Sequence, residues 1–237
     1  MRVFAIADPH LSRAAPKPMT IFGTGWGGHP ERFFEGWRET VADEDLVLVP
    51  GDVSWAMTLE GALSDLHDIA ALPGTKVLLR GNHDFWWPSI TKLRAALPEG
   101  MYALQNDALR LGNLVLAGTR GWLCPGASTF GAEDERIYRR ELGRLQLSFN
   151  AARKLRQPGD SLVVMLHYPP TNLRLEPSGF TELLTRVDAD AVVFGHLHGD
   201  HRAVERVAQT PAHLVAADAL GFVPKLIMEL TCGNIVR

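Results

Sequence analysis

The sequence has little of what marks a secreted, membrane or cysteine-rich protein. Cys124 and Cys232 are the only cysteines among its 237 residues, and they form no CxxC pair. This argues against a disulfide framework and a thiolate zinc site. No apolar run approaches the roughly 18 residues of a membrane span, and the first run ends at Asp8, too early for a signal peptide. The sequence therefore favours a cytoplasmic protein.

Excess charge of one sign is also missing. The chain has 24 Lys and Arg against 27 Asp and Glu, for a net charge of −3. No basic run is dense enough for an extended nucleic-acid surface or an anionic membrane, so a phosphate-bearing ligand needs a local site. No repeat, low-complexity tract or linker is evident, and we expect one domain over residues 1–237.

What the sequence does contain is a series of short apolar runs. Most do not alternate apolar with polar residues, which is typical of strands buried on both faces. The runs cover 3–7, 46–50, 76–80, 114–119, 162–166, 191–195, 213–219 and 226–230. Apolar residues at helical spacing predict helices over 31–41, 58–72 and 133–156. Alternating strands and helices predict an α/β fold with largely parallel sheets.

Five of these runs end in polar side chains of the same kinds. In open α/β sheets the ligand site borders the carboxyl ends of the strands. Carboxylate, imidazole and amide groups there suit manganese, iron or zinc. One such residue is commonly a helix cap or a turn, but five in order predict a shared site. The segments are Asp8-Pro9-His10, Gly51-Asp52, Gly81-Asn82-His83-Asp84, His167-Tyr168-Pro169-Pro170 and Gly195-His196-Leu197-His198.

This ordered set resembles the motifs of the calcineurin-like metallophosphoesterase superfamily, and within it most closely those of the phosphodiesterase group. The resemblance spans residues 8–198. It implies a four-layer α/β sandwich, in which two mixed β-sheets lie face to face between flanking helices and two metal ions sit at their rim. It also implies that the runs at 213–219 and 226–230 are late strands that close the second sheet.

The resemblance assigns the metal ligands residue by residue. One metal ion would be bound by Asp8, His10 and His198, the other by Asn82, His167 and His196, and Asp52 would bridge both. Two divalent ions about 3.5–4 Å apart can clamp the attacking and leaving oxygens of a displacement at phosphorus. Mn²⁺ is the metal we favour, with iron, zinc, nickel and cobalt left open because availability often decides.

The resemblance implies that His83 is the motif histidine that does not bind a metal ion. By resemblance it lies near the leaving-group oxygen and acts as a general acid or stabilises the transition state. Asp84 follows it directly, and we expect its carboxylate to orient the imidazole and keep it protonated. His83 and Asp84 are therefore the predicted catalytic residues, with Asn82 and His83 also expected to contact the substrate.

Differences between these motifs and those of protein phosphatases narrow the class of substrate. The second motif reads "GDVSWAM" and lacks the arginine of protein phosphatases, and the third ends in Asp84 where they have glutamate. We therefore expect attack by a metal-bound hydroxide on a phosphodiester, with a cyclic or small nucleotide as one candidate. A broad phosphomonoesterase is the alternative enzyme. A non-catalytic interaction scaffold of the same fold is the alternative of another class. The oligomeric state stays open.

Several residues outside the motifs are weighed as pocket components. The Gly- and Pro-rich segment 12–30 is a candidate lid or an ordinary surface loop. Arg120 is a candidate contact for a phosphate oxygen, and Trp122 a candidate stacking surface. The pair Trp86 and Trp87 is expected either to wall the pocket or, more commonly, to pack in the core.

The remaining histidines and the nearby thiol have no expected role at the site. The histidines match no motif position, and the thiol is not needed when a metal supplies the nucleophile. These residues are His29, His67, His201, His213 and Cys124.

Overall fold

A computed structural model describes residues 1–14, 16–126, 130–199 and 202–230. Within these ranges the strands are β1 (Arg2–Ala5), β2 (Leu46–Pro50), β3 (Thr75–Leu79), β4 (Met101–Leu104), β5 (Ala108–Leu111), β6 (Leu114–Thr119), β7 (Ser161–Leu166), β8 (Ala191–Phe194), β9 (Arg206–Val207), β10 (Thr210–Leu214) and β11 (Lys225–Glu229). The α-helices are α1 (His29–Thr40), α2 (Leu59–Ala70), α3 (Ile90–Ala96), α4 (Ala132–Leu155) and α5 (Gly179–Leu184). His201 and Cys232, both named above, lie outside the described residues.

The strands form two mixed sheets. The first has the order β11-β1-β2-β3-β4, and the second has the order β5-β6-β7-β8-β10-β9. Strands β1 to β4 are parallel to one another, as are β6, β7, β8 and β10. The antiparallel pairs lie at the edges, where β11 joins β1, β5 joins β6 and β9 joins β10.

Alternate residues of each strand enter different hydrophobic layers, which stack the sheets face to face. Val3 and Leu48 of the first sheet share one buried cluster with Leu116 and Val193 of the second. On the outer face of the first sheet, strand residues pack with α1, α2 and α3. On the outer face of the second sheet they pack with α4 and α5. The predicted four-layer sandwich is confirmed.

The predicted helices are found with shifts of one or two residues at their ends. The side chain of Thr58 accepts the N–H of Gly61 and caps α2, which explains why that helix begins one residue later than expected. The short helices α3 and α5 were not predicted, because neither is long enough to show a helical period.

The prediction that the last two runs both close the second sheet is wrong for one of them. The run at 213–219 enters β10, which pairs with β8 in the second sheet. The run at 226–230 lies in β11, which pairs antiparallel with β1 at the edge of the first sheet. Its side chains of intermediate or full exposure fit an edge position. In the described part of the chain, no helix combines the length and apolarity needed to cross a membrane.

Candidate metal centre

The motif residues meet at one edge of the sandwich. Asp8, Asp52 and Asn82 follow β1, β2 and β3 of the first sheet, while His167 and His196 follow β7 and β8 of the second. Because parallel strands end at the same side of a sheet, and because the two sheets face each other, these ends converge. All seven predicted ligands belong to this rim.

One group of ligand atoms is formed by the first and last motifs. Asp8, His10 and His198 offer atoms that all lie within 4.8 Å of one another. Nε2 of His10 lies 3.3 Å from Nε2 of His198. Both Asp8 and His10 are buried, so water is largely kept from this side of the centre.

A second group gathers around the amide of Asn82. Its Oδ1 lies 2.7 Å from Nε2 of His167 and 2.9 Å from Nδ1 of His196. Nδ1 of His167 lies 3.0 Å from the carbonyl oxygen of Pro50, to which it donates its proton. The lone pair of His167 is therefore on Nε2, which faces the asparagine oxygen. The structure thus brings together the predicted ligands of the second ion.

Asp52 lies between the two groups. Its Oδ2 is 3.8 Å from Nε2 of His10 and 3.5 Å from Nε2 of His167. Asp8 also reaches the second group, since Asp8, Asp52 and His167 offer ligand atoms within 4.8 Å of one another. Asp52, the predicted bridging ligand, therefore lies within 4 Å of a histidine of each group.

The backbone holds several of these residues in an unusual conformation. Asp8, His10, Asp52 and His196 all have φ between +46° and +71°, the left-handed region that residues other than glycine seldom adopt. Such strain is maintained where surrounding structure over-determines it, commonly at functional sites.

Two motif glycines leave the space that the ligands occupy. A Cβ on Gly51, whose φ is +99°, would lie 2.6 Å from Nδ1 of His167. A Cβ on Gly81 would collide with the carboxylate of Asp52. Glycine at these positions therefore lets the motif backbone approach the ligand side chains.

The donor set fits divalent metal ions. Oδ1 of Asp8 is buried and, among the residues that the structure describes, has no hydrogen-bond partner. The separations of 2.7, 2.9 and 3.3 Å between ligand atoms match neighbouring ligands that each lie about 2.1 Å from one ion. Nitrogen and oxygen donors without thiolate suit first-row divalent metals.

Protonation states also favour a cation. Burial lowers the pKa of His167 to about 3 and that of His196 to about 2, so both imidazoles are neutral at pH 7 and their lone pairs are available. Burial raises the pKa of Asp52 to about 6. Burial also raises the pKa of Asp8, and the negative charge of Asp52 raises it further. A bound cation would offset the cost of ionising these buried carboxylates.

The carboxylate of Asp84 bonds to the main chain and to Trp86 instead of the imidazole of His83, and the prediction that it orients that ring is corrected. Its Oδ2 accepts the main-chain N–H groups of Gly81 at 2.7 Å and Asp52 at 2.9 Å. Its Oδ1 accepts from Val53 N–H at 2.8 Å and from Nε1 of Trp86 at 2.8 Å. No hydrogen bond joins it to the His83 ring within the described chain, because the buried main-chain donors surround the carboxylate.

The imidazole of His83 lies among aromatic rings instead. Its ring centroid is 4.5 Å from that of Trp55 and 6.3 Å from that of Phe85, and 5.8 Å from the ring of His10. The main-chain N–H of His83 donates to Oδ1 of Asp52 at 2.7 Å. Packing on Trp55 and a main-chain bond therefore position His83 beside the metal centre.

The sequence reasoning missed Asp218. Its Oδ1 accepts from Nδ1 of His198 at 3.0 Å, and its Oδ2 accepts from Gly199 N–H at 2.8 Å. With a proton on Nδ1, His198 presents Nε2 to the metal group. Asp218 lies within the run at 213–219 but beyond the end of β10 at Leu214, so its position after a strand is a signal of the same kind as the other motifs.

The segment 12–30 contributes a cover. It forms two short 3₁₀ turns, Met19–Phe22 and Thr24–Trp26. The buried ring of Trp26 lies 5.9 Å from the ring of His10 and 5.4 Å from that of His198. Trp26 therefore covers one side of the group formed by Asp8, His10 and His198, and Ala15 of this segment lies outside the described residues.

The neighbouring tryptophans are structural. Trp86 and Trp87 are buried in the core of the first sheet, and their indole N–H groups donate to Asp84 and Gln105. The exposed aromatic residue of this segment is Phe85, with 53% of its surface accessible. Of the two readings considered for the pair, core packing is therefore confirmed.

Arg120 lies deeper than a solvated strand end. Its side chain is 18% exposed, Nη2 lies 3.9 Å from Oε1 of Glu141, and the guanidinium lies 4.6 Å from the centre of the Trp122 ring. Trp122 packs on Tyr168, whose ring lies 3.9 Å from that of His196. The Arg120 region is thus connected to the second ligand group through two aromatic rings.

The residues expected to lie outside the ligand set do so wherever they are described. His29 faces the carbonyl oxygen of His10 rather than a ligand group, His67 is exposed on α2, and His213 lies in β10. Burial raises the pKa of the Cys124 thiol to about 11, so it is protonated at pH 7 and unsuited to nucleophilic attack.

Comparison with known proteins agrees with this geometry. The model of the calcineurin-like phosphoesterase family matches residues 1–200. No curated protein matches the sequence.

Solved structures resemble the chain at low identity. The phosphopantetheinyl hydrolase of Mycobacterium tuberculosis is 15% identical with a TM-score of 0.52, and 91% of this chain and 88% of that one are covered. A protein of Thermus thermophilus, TT1561, is 13% identical with a TM-score of 0.58 and coverages of 90% and 88%. A protein of unknown function from Aquifex aeolicus is 14% identical with a TM-score of 0.47 and covers 94% of each chain. The first two likenesses concern the fold.

Proposed function

This chain belongs to the calcineurin-like phosphoesterase family, and on that premise we propose that it hydrolyses a phosphodiester at a centre of two metal ions. Family membership indicates metal-dependent phosphoester hydrolysis. The observation that supports the two-metal centre is the position of Asp52. Its Oδ2 lies within 4 Å of both His10 and His167, at 3.8 and 3.5 Å, between the two groups of nitrogen and oxygen donors.

Each ligand group has a defined task in this proposal. Asp8, His10 and His198 would hold one ion, and Asn82, His167 and His196 the other. When bound, such ions supply Lewis-acid stabilisation of charge and a nucleophile at neutral pH. In the hydrolysis a bond forms between a water oxygen and phosphorus while the bond from phosphorus to the leaving oxygen breaks.

His83 would donate the proton that the leaving oxygen needs. Its imidazole is partly exposed beside the ligand groups, between Trp55 and Phe85, so a substrate can reach it. We propose Asp84 as a positioning residue that acts through the main chain of the second and third motifs.

We further propose a small phosphodiester as substrate and Mn²⁺ as the metal. The aromatic rings of Trp55 and Phe85 beside His83 favour an organic group on the leaving side, and the neutral amide of Asn82 avoids additional repulsion of an anionic phosphate. We propose a cytoplasmic enzyme that requires neither a membrane nor an extended nucleic acid, on the basis of its few cysteines and balanced charge.

The test is a comparison of two chromogenic esters. Purified protein is chelated, reloaded with Mn²⁺, and assayed with bis-p-nitrophenyl phosphate and with p-nitrophenyl phosphate. We expect a higher kcat/KM for the diester and no turnover after chelation. A preference for the monoester would replace the proposal with a phosphomonoesterase. Absence of hydrolysis of either ester with two ions bound would favour the non-catalytic scaffold.

A further inference from the structure

A polar cavity lies next to the candidate metal centre. It has a volume of about 200 Å³, several times the roughly 30 Å³ that one water molecule occupies in the liquid. Its walls come from the ends of β3 and β6, the turn after β4, and α4. Four arginine side chains line it, namely Arg80, Arg120, Arg140 and Arg144.

One carboxylate lies against three of these four guanidinium groups. Glu141 has no exposed surface, and its Oε1 lies 2.6 Å from Arg144, 3.4 Å from Arg140 and 3.9 Å from Arg120. Its Oε2 accepts the hydroxyl of Thr119 at 2.7 Å. The single negative charge is thus shared among three arginines, and the cavity wall carries a formal excess of three positive charges.

Two of the arginines have unused donors inside the protein. In the described part of the chain, Nε of Arg80 and Nε of Arg120 are buried and have no hydrogen-bond partner. Buried N–H groups without protein partners are costly, and a bound water or anion would satisfy them. Burial lowers the pKa of Arg120, and the charges of Arg80 and Arg140 lower it further, as expected for cations crowded together.

Neutral groups in the wall also present donors. The amide oxygen of Gln105 accepts from Nε1 of Trp87 at 2.6 Å. The polar atoms that remain on this side chain are N–H donors. Oγ1 of Thr119, whose proton goes to Glu141, lies 3.0 Å from the amide group of Asn106. A cavity rich in guanidinium and amide donors matches a tetrahedral oxyanion, since arginine binds phosphate through paired N–H groups.

We propose that this cavity binds a phosphate group. The group is either a second phosphate of the substrate or a separate anion that acts beside the reaction. This site rests on the proposed function and extends it, because the cavity and the metal centre are joined by short segments of the chain. Arg80 directly precedes Gly81 and Asn82 in the third motif, and the carbonyl oxygen of Arg120 accepts the N–H of His167 at 3.1 Å.

The first experiment measures anion binding without turnover. Sulfate is titrated into the metal-loaded protein against sodium chloride at equal ionic strength, and the melting temperature is followed. We expect a saturable rise in the wild type. The apparent sulfate affinity should fall about tenfold in Arg80→Met and in Arg144→Met, as for the loss of one charge-assisted hydrogen bond.

The matched control is Arg139→Met on the same helix. Arg139 is 76% exposed and pairs with Glu135, so its variant should bind sulfate like the wild type. Arg144 is 38% exposed, and its replacement therefore provides a folded variant even if replacement of Arg80 destabilises the chain. Unchanged sulfate affinity in Arg144→Met, or a rise that never saturates and reflects only exclusion of sulfate from the surface, would overturn the site.

A second experiment separates the two sources of the phosphate. The p-nitrophenyl ester of thymidine 5′-phosphate is compared with the same ester bearing a 3′-phosphate. The cavity is assigned to a substrate phosphate if the second ester has the higher kcat/KM in the wild type and in Arg139→Met, and if this advantage is lost in Arg144→Met. Equal values with sulfate binding intact assign it to a separate anion. Sulfate binding without any hydrolysis would refute the proposed function and leave the anion site standing.

Discussion

The carboxylate of Asp84 accepts the main-chain N–H of Asp52 at 2.9 Å. A residue of the third motif thereby fixes the backbone that carries the proposed bridging ligand of the second. The same carboxylate accepts from Gly81 and Val53, so the turns after β2 and β3 are joined through one buried side chain. Burial and the charge of Asp52 raise the pKa of Asp84 to about 7, whereas the main-chain donors act in the opposite direction.

Replacing Asp84 tests this connection. In Asp84→Asn an NH₂ group faces donors where an oxygen accepted them, and at least one buried N–H loses its partner. We expect the free energy of unfolding in urea to fall by about 1–3 kcal/mol, with weaker metal binding. Asp188→Asn, at a side chain that is 99% exposed, is the control. Wild-type stability in Asp84→Asn would contradict the positioning role.

Asp218 is expected to support metal binding through His198. Removal of its carboxylate in Asp218→Ala leaves Nδ1 of His198 without its acceptor at 3.0 Å. Such partners of metal-binding histidines are worth about 10–100-fold in metal affinity. Competition with a chelator should show this loss in Asp218→Ala and a smaller one in Asp218→Asn, which keeps an acceptor oxygen. Equal affinities in all three proteins would exclude the role.

A methyl group at Gly81 should disturb the centre directly. Its Cβ would collide with the Asp52 carboxylate, and overpacking of this kind costs about 1–3 kcal/mol. We expect Gly81→Ala to lose stability and to retain less than two metal ions per chain after dialysis. Gly143→Ala is the control, since a Cβ on that helical glycine meets no atom within 4 Å and should stabilise α4. Full metal content in Gly81→Ala would refute the proposed close approach.

Metal affinity should rise with pH below about pH 6. Burial raises the pKa of Asp52 to about 6 in the metal-free protein, and a metal must displace that proton below pH 6. His167 and His196, with pKa values lowered by burial to about 3 and 2, are already deprotonated and add no dependence there. Titration calorimetry with Mn²⁺ should show affinity increasing about tenfold per pH unit per proton below pH 6. A flat profile from pH 5 to 6 would contradict this.

His83 is expected to matter most for poor leaving groups. Loss of a general acid costs about 10²–10⁴-fold in rate, and an alkoxide needs a proton more than p-nitrophenolate does. His83→Ala should therefore keep its metal ions and lose far more kcat on a dialkyl phosphodiester, whose leaving group is an alkoxide, than on bis-p-nitrophenyl phosphate. His67→Ala, at an exposed position on α2, is the control. Near-normal turnover of both esters with metal bound would show that His83 is not the acid.

Much of the centre could be predicted because its residues follow strands that are recognisable from the sequence alone. Runs such as 46–50 and 162–166 have a local apolar pattern, and the polar residues that end them lie at the rim wherever the strands are parallel. Asp8, Asp52 and His167 were found in this way. Asp218 was missed because it was included in a run taken as strand, whereas β10 ends at Leu214.

The sequence by itself determined the alternation of strands and helices, the residues at the strand ends, and through them the family. Only the tertiary structure decided that β11 borders β1 and that Arg80, Arg120 and Arg144 share one cavity. It also decided that Asp84 accepts main-chain N–H groups while the ring of His83 packs on Trp55. The physical reason is that propensity and hydrophobic period are local properties of the chain. Which distant donor meets a buried carboxylate is set by packing and by the need to satisfy buried polar groups.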